Sequence, residues 1–160
     1  MKKLTLLLFL LFQLLSFGQE EPKEPIRIPL AKEEGKEDSG LSFAIIEEVP
    51  LFPGCEEVVR NKRLNCFQAK MNEHIQKNFK YPREARRKNI QGRVLVMFII
   101  NKEGIIENIV AKGPEDCEDC EILEKEAIRI MSKLPQMTPG KQKGKAVKVK
   151  YSQPLTFKLQ

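Results

Sequence analysis

Residues 93–101 of the chain read RVLVMFIIN, the strongest strand pattern in the sequence. Apolar side chains occupy both alternating positions of this stretch. One set comprises Val94, Val96, Phe98 and Ile100, and the other comprises Leu95, Met97 and Ile99. A strand that is apolar at both parities is typical of one that is covered on both faces. We therefore expect residues 93–101 to be buried on both faces or to lie in the centre of their sheet.

A hairpin follows this strand directly. Residues 101–104, NKEG, provide a turn that ends in glycine, and residues 105–111, IIENIVA, form a second apolar run. Two such runs joined by a short glycine-containing turn are typical of a β-hairpin. We expect the second run to be the antiparallel partner of the first.

Two amphipathic helices flank the hairpin in the sequence. The first carries apolar residues at i+3 and i+4 spacing, which are Leu64, Phe67, Met71, Ile75 and Phe79. Pro82 then begins a short helix, because proline is tolerated in a first helical turn. The second long helix is expected over about residues 119–134, with Leu123, Ala127, Ile130, Met131 and Leu134 on one face. Acidic residues crowd its first turn and Pro135 ends it.

The last strand has one apolar face and one polar face. Its apolar residues share one parity and are Val147, Val149, Tyr151, Leu155, Phe157 and Leu159, whereas Lys148, Lys150, Ser152, Thr156 and Lys158 take the other. This alternation is typical of a half-buried strand. Pro154 lacks an N–H group for a ladder, so it is typical of a strand at the edge of a sheet.

The order of helix, hairpin, helix and strand predicts an α+β fold. We expect a three-stranded antiparallel sheet with two main helices packed on one face. A right-handed crossover through the second long helix places the last strand beside residues 93–101. Residues 41–49 are also apolar enough to add a short strand.

The N-terminal 48 residues differ in composition from the rest of the chain. Lys2 and Lys3 precede an apolar run at residues 4–15, and Ser16 and Gly18 provide small residues for a signal-peptidase site. We expect a signal peptide at residues 1–18 that is cleaved after Gly18, the alternative being a short signal-anchor. Residues 19–48 are an acidic, flexible linker with a composition that cannot form a packed core, and residues 49–160 form the domain.

Charge and cysteine content restrict the function further. The chain has a net charge of +6 and four cysteines, Cys55, Cys66, Cys117 and Cys120. An exported protein rarely meets nucleic acid, so we do not expect a nucleic-acid partner. An even number of cysteines in an exported chain indicates disulfides. Three pairings are open, of which the simplest is local, Cys55 with Cys66 and Cys117 with Cys120.

Nothing in the sequence indicates an enzyme. Cys117 and Cys120 form a CxxC pair, but the five acidic residues around them disfavour a reactive thiolate, so a structural disulfide is favoured over a redox dithiol. The spacing of Cys55 and Cys66 fits no usual zinc site. His74, the sole histidine, is expected on the surface and has no evident catalytic partners. We expect no catalytic residue, no metal and no cofactor.

The ordered motifs resemble the TonB C-terminal domain, in its Bacteroidetes-type form, over about residues 49–159. The residues that carry this resemblance are Phe52-Pro53-Gly54-Cys55 with Cys66, Tyr81-Pro82-x-x-Ala85-Arg86, Ile90-Gln91-Gly92-Arg93-Val94, Asn101-Lys102-Glu103-Gly104, Glu126-Ala127, Leu134-Pro135-x-x-x-Pro139-Gly140, Gly144-Lys145-x-Val147 and Pro154-Leu155-x-Phe157. The short apolar run near the N-terminus, the short linker and Met137, at a position that is often aromatic in relatives, depart from the family pattern.

The resemblance implies a periplasmic module that binds the extended "TonB box" at the N-terminus of outer-membrane transporters. An ExbB/ExbD-type motor in the inner membrane supplies the energy, and the box pairs with the last strand of the domain. An edge strand has free backbone groups for such strand addition. The candidate peptide-binding residues are Val147, Lys148, Val149, Lys150, Tyr151 and Ser152, with Tyr81, Pro82 and Arg86 from the segment that the family places near the bound peptide.

Several alternatives stay open at this stage. Tyr81 either contacts a transporter or packs at the end of a helix. The outward lysines either steer an acidic partner or prevent aggregation of the edge. The second functional hypothesis is a free-standing secreted domain with a structural or protein-assembly role, through a homodimer formed by pairing of its edge strands. An uncleaved N-terminus would instead anchor the chain in the inner membrane.

Overall fold

The computed structural model describes residues 40–159. The expected signal peptide at residues 1–18, and the expected linker up to residue 39, lie outside the described residues. In the part that is described, we find no helix with the length and apolar character needed to cross a membrane.

Three helices and six strands make up this part of the chain. The helices are α1 at Arg63–Asn78, preceded by a 3-10 turn at Arg60–Lys62, α2 at Arg83–Arg87 and α3 at Glu121–Met131. The strands are β1 at Leu41–Ser42, β2 at Gly92–Ile100, β3 at Ile106–Lys112, β4 at Lys141–Gln142, β5 at Lys145–Ala146 and β6 at Val149–Phe157. The hairpin, the two main helices and the last strand therefore all form where the sequence predicts them.

The main sheet has four strands in the order β1-β6-β2-β3, so the prediction of three strands is wrong. Strand β2 lies between β3 and β6 and is antiparallel to both. Its pairing with β6 is continuous from Gly92 opposite Phe157 to Ile100 opposite Val149. The additional strand, β1, pairs in parallel with the start of β6. Two residues are too few to show a period, but the apolar character of residues 41–49 does indicate a short strand.

Strand β2 is central in the sheet, and it is buried on one face only. The face towards the helices is closed, and Val94, Val96 and Ile100 have no exposed surface. On the opposite face, Leu95 and Met97 are 42% and 41% exposed. Both long helices pack on the same side of the sheet, and no element within residues 40–159 covers the other side. Burial on both faces, one of the two alternatives for this strand, is therefore wrong.

Two disulfides are present, and they follow the local pairing. Cys55 bonds to Cys66, which ties the loop before α1 to that helix, and the sulfur of Cys55 lies in the core. Cys117 bonds to Cys120, immediately before α3. Residues 40–48, assigned by composition to the end of the linker, contact the domain through β1 and through a backbone bridge between Glu48 and Lys141.

Candidate peptide-binding edge

The outer edge of β6 is defined by the direction of its backbone groups. The N–H of Leu41 donates to the carbonyl oxygen of Lys148 (2.7 Å), and the N–H of Phe43 donates to that of Lys150 (3.1 Å). Backbone direction alternates along a strand. The even-numbered residues therefore direct N–H and C=O to this edge, and the odd-numbered residues direct theirs to β2.

Pro154 has the parity that an edge strand requires. It pairs with Leu95 across the β2–β6 ladder, yet as an even-numbered residue its nitrogen faces away from β2. The missing donor therefore costs the ladder nothing. From residue 151 to residue 157, the described part of the chain supplies no strand on this side. The edge-strand prediction is correct there and wrong at Val149 and Lys150, which pair with β1 because residues 40–43 fold back along them.

The six residues assigned to the last strand do not form one uniform surface. Val147 precedes β6, and its N–H donates to the carbonyl of Gly140 (3.0 Å). Lys148 also precedes the strand, and its ammonium group lies 3.2 Å from a carboxylate oxygen of Glu107 on β3. Its charge is thus partly compensated within the domain. Lys150 and Ser152 are exposed on the uncovered face of the sheet.

Tyr151 points to the helices and connects the edge to the core. Its ring lies 4.7 Å from that of Phe43, 5.1 Å from Phe67 and 5.6 Å from Phe98, between centroids. Its hydroxyl donates to the side chain of Gln153 (3.2 Å). Burial raises the pKa of this hydroxyl above its usual value, so the group stays neutral.

A shallow groove runs along the uncovered face beside β1. Side chains from four strands contribute to it, and they include Ser42, Met97, Ile99, Val110, Lys150 and Ser152. Val110 is 54% exposed. The groove is therefore apolar along β2 and β3, and it carries a cation at its β6 side.

The segment at residues 81–86 lies at the other end of β6. The hydroxyl of Tyr81 donates to the carbonyl of Ile90 (2.6 Å), and its ring packs edge-on against Phe157, 6.1 Å between centroids. Arg86 lies 6.0 Å from the centre of the Tyr81 ring. Burial raises the pKa of Tyr81, while the charge of Arg86 opposes that shift. Pro82 caps α2 through its carbonyl, which accepts from the N–H of Arg86 (3.0 Å).

The structure does not bring the two predicted parts of the site together. Tyr81 lies beside Phe157, whereas β1 pairs with Val149, at opposite ends of a nine-residue strand. At about 3.3 Å per residue, the two ends are roughly 26 Å apart. An extended peptide would have to span almost the whole strand to contact both. The packing of Tyr81 favours its role as a helix-end residue.

Two side-chain groups that the sequence does not indicate hold the helices in place. His74 is half-buried, and its Nε2–H donates to the carbonyl of Ile130 (2.9 Å), which joins α1 to α3. The prediction of a surface histidine is thus only partly correct. Arg129 donates to the carbonyl of Asn78 (2.6 Å) and also pairs with Glu126. This pair closes the C-terminal end of α1 and thereby fixes the direction of the segment that contains Tyr81.

Residues 40–159 contain no cluster of three or more histidine, cysteine, aspartate or glutamate side chains that could hold a metal ion. Both CxxC sulfurs are occupied by their mutual disulfide. The backbone edge of β6 and the groove next to it form a surface that can pair with an extended partner.

Comparison with known proteins identifies the family. The chain matches the sequence profile described as Gram-negative bacterial TonB protein C-terminal over residues 77–159, which is more than half of its length. It is also similar to an NMR structure of the Helicobacter pylori TonB C-terminal domain, with 24% sequence identity and a TM-score of 0.46, over 66% of this chain and 87% of that one. A second NMR structure of that domain has 25% identity and a TM-score of 0.39, over 57% and 91% of the two chains. A search of curated proteins gave no match.

The matched region contains α2, α3, β2, β3 and β6, together with the edge described above. TonB C-terminal domains are non-enzymatic interaction modules that are generally associated with binding outer-membrane transporters. The profile match, over more than half of the sequence, shows that this chain belongs to the family of Gram-negative bacterial TonB protein C-terminal domains.

Proposed function

We propose that this chain is exported to the periplasm and binds the extended N-terminal peptide, or TonB box, of an outer-membrane transporter along the β6 edge. Family membership supports a transporter as the partner. The observation that carries the proposal is the open edge from residue 151 to residue 157, within the described part of the chain. Ser152 and Thr156 direct backbone groups to this edge, so an added strand can pair with them.

The outer side chains contribute less than the backbone to this binding. Lys150 and Ser152 are exposed, and exposed charges contribute little to affinity. The β6 side of the groove, at Lys150 and Ser152, lies next to alternate side chains of the added strand, whereas Met97 and Val110 lie one and two strands further in. Main-chain pairing then supplies affinity for many sequences.

The proposed role belongs to energy-coupled nutrient uptake, with an ExbB/ExbD-type inner-membrane motor as a further partner. The alternative is a free-standing secreted domain that uses the same edge for protein assembly, as a homodimer. Both roles rest on β6, but they differ in what pairs with it. Sedimentation of the chain without peptide separates them, because self-pairing makes the apparent mass depend on protein concentration.

The experiment that tests the edge compares Ser152→Pro with Ser152→Ala. Both variants lose the hydroxyl, but only the proline variant loses the N–H that faces the edge. One lost hydrogen bond together with local distortion corresponds to about a tenfold or greater rise in Kd. Calorimetric titration with synthetic peptides from the N-termini of the host's own outer-membrane transporters measures this change.

Circular dichroism and thermal melting first establish that both variants are folded. We expect Ser152→Ala to bind like the parent chain and Ser152→Pro to bind much more weakly. If a well-folded Ser152→Pro chain binds these peptides as tightly as the parent does, the β6 edge is not the site, and residues 81–86 become the better candidate.

A further inference from the structure

The start of the β6 edge already carries a strand from the same chain. Strand β1 runs parallel to β6, with Leu41 in register with Val149 and Ser42 with Lys150. Two backbone donors, one from Leu41 in β1 and one from Phe43 just after it, occupy the carbonyls of Lys148 and Lys150. This is the pairing that an added peptide would make, although it is made in cis and extends over a few residues only.

One side chain anchors this segment to the domain. The ring of Phe43 lies 4.9 Å from that of Phe67 and 4.7 Å from that of Tyr151, between centroids. Phe67 is completely buried, and Phe43, which is itself half-buried, packs against its ring and against that of Tyr151. Aromatic pairs at such distances are stabilising beyond their buried area. The contact therefore acts as a side-chain anchor next to the backbone pairing.

The segment is attached to the rest of the domain at a separate place. The N–H of Glu48 donates to the carbonyl of Lys141 (3.1 Å), and the reverse bond also forms (2.9 Å). Leu51 pairs in the same way with Thr138. Between this attachment and β1, Ile45 is 69% exposed and packs little. Residues 40–45, named here the N-terminal arm, can therefore leave β6 while Ile46 stays packed against the core and the bridges at Glu48 and Leu51 stay in place.

We propose that the N-terminal arm is a resident ligand of the β6 edge, which a partner peptide must displace to bind at Lys148 and Lys150. The inference rests on the proposed function and adds its regulation and the chemistry of the partner. A competing peptide has to supply donors at alternate residues to the carbonyls of Lys148 and Lys150. It also has to place an aromatic or large apolar side chain against Phe67 and Tyr151, where Phe43 now lies.

The N-terminal arm competes in cis with an added peptide. The apparent affinity for that peptide is the affinity of the open edge multiplied by the fraction of molecules in which the edge is open. An edge that is open in about one molecule in ten binds roughly tenfold more weakly than one that is permanently open. Phe43→Ala removes the anchor and should therefore raise the affinity for a transporter peptide by up to about tenfold. Ile45→Ala is the matched control, because it lies in the same arm but is exposed, and it should leave affinity unchanged.

A second measurement tests the arm without any transporter. A synthetic peptide with the sequence of residues 38–46 is titrated into the full chain and into its Phe43→Ala variant. We expect the peptide to bind the variant at least about fivefold more tightly than the parent chain, whose edge is occupied in cis. A peptide with alanine in place of phenylalanine should bind neither. Melting curves of both proteins exclude unfolding as the cause.

The outcomes separate this inference from the proposed function. Transporter peptides that bind the parent and Phe43→Ala equally well overturn the resident-ligand inference, while peptide binding itself stands. Another outcome is that the arm peptide binds the Phe43→Ala variant but no transporter peptide does. This outcome supports the inference and contradicts the proposed function. Equal binding of the arm peptide to both proteins, or weaker transporter binding by Phe43→Ala, also overturns the inference, because the arm would then not compete for the edge.

Discussion

Gly104 is a residue that two constraints require to be glycine, a positive φ and a close approach of another backbone segment. Its φ of 79° lies in the left-handed region, and a Cβ atom there would overlap the backbone carbonyl oxygen of Met137. The two backbone segments are also joined by a hydrogen bond, in which the N–H of Met137 donates to the carbonyl of Gly104 (2.9 Å). The hairpin between β2 and β3 is thereby joined to the loop after α3.

We expect Gly104→Ala to destabilise the domain by more than about 3 kcal/mol, because it adds a backbone clash to the strain of a positive φ. Gly144→Ala is the matched control. Its φ of 73° is similar, but nothing lies within 4 Å of the added carbon. Only the left-handed strain of about 1–2 kcal/mol applies there. Urea unfolding measures both changes, and equal losses would contradict the clash.

The two disulfides differ at the scale of elements. Cys55 and Cys66 are 11 positions apart, whereas Cys117 and Cys120 are three apart. In the chain-entropy model, the longer loop stabilises more, by about 1 kcal/mol for these lengths. Cys55 is also completely buried, so its loss removes packing as well. The disulfide between Cys55 and Cys66 should therefore be the more important of the two.

We expect replacement of Cys55 and Cys66 by alanine to cost roughly 3 kcal/mol or more, and replacement of Cys117 and Cys120 about 1 kcal/mol less. Denaturant unfolding of the two double variants gives the comparison. Peptide mapping without reductant on the exported parent chain checks the pairing itself. If replacement of Cys117 and Cys120 lowers the free energy of unfolding more, the start of α3 depends on its disulfide more than the loop before α1 does.

Elements with a clear period could be predicted from the sequence, and elements set by tertiary contacts could not. The alternation in residues 149–157 and the two apolar runs around Gly104 correctly predict β2, β3 and β6. Strand β1 has two residues, too few for a period, and it forms because Phe43 reaches Phe67 and Tyr151. The exposure of Leu95 and Met97 depends on where the helices pack, which their own spacing does not encode.

The same limit applies to the candidate site. Pro154 correctly marks residues 151–157 of β6 as an edge, since a missing donor is a property of the residue itself. The occupation of the start of this edge by Leu41 and Phe43 depends on contacts between residues more than 100 positions apart in the chain. The distance between Tyr81 and β1 is likewise a property of the assembled sheet. Sequence motifs do not contain that distance, which is why the sequence-based prediction placed both ends of β6 in one site.

Charge divides the whole molecule into two parts. Residues 19–48 contain nine acidic and four basic residues, whereas residues 49–160 contain 13 acidic and 22 basic residues. The N-terminal arm belongs to the first of these two parts but contains no charged residue, so its pairing beside Lys148 and Lys150 depends on backbone hydrogen bonds and on the packing of Phe43.

The state of the N-terminus decides how the whole molecule can act. We expect cleavage after Gly18, since Lys2 and Lys3, the short apolar run and Ser16 form a signal-peptidase pattern. Mass analysis of protein from the native host should give a chain that begins at Gln19. Such a product has no anchor at this end, so coupling to an inner-membrane motor would need another protein, while binding at β6 is unaffected. A membrane fraction that retains Lys2 would contradict cleavage and favour direct coupling, and residues 19–48 would then bridge at most about 100 Å.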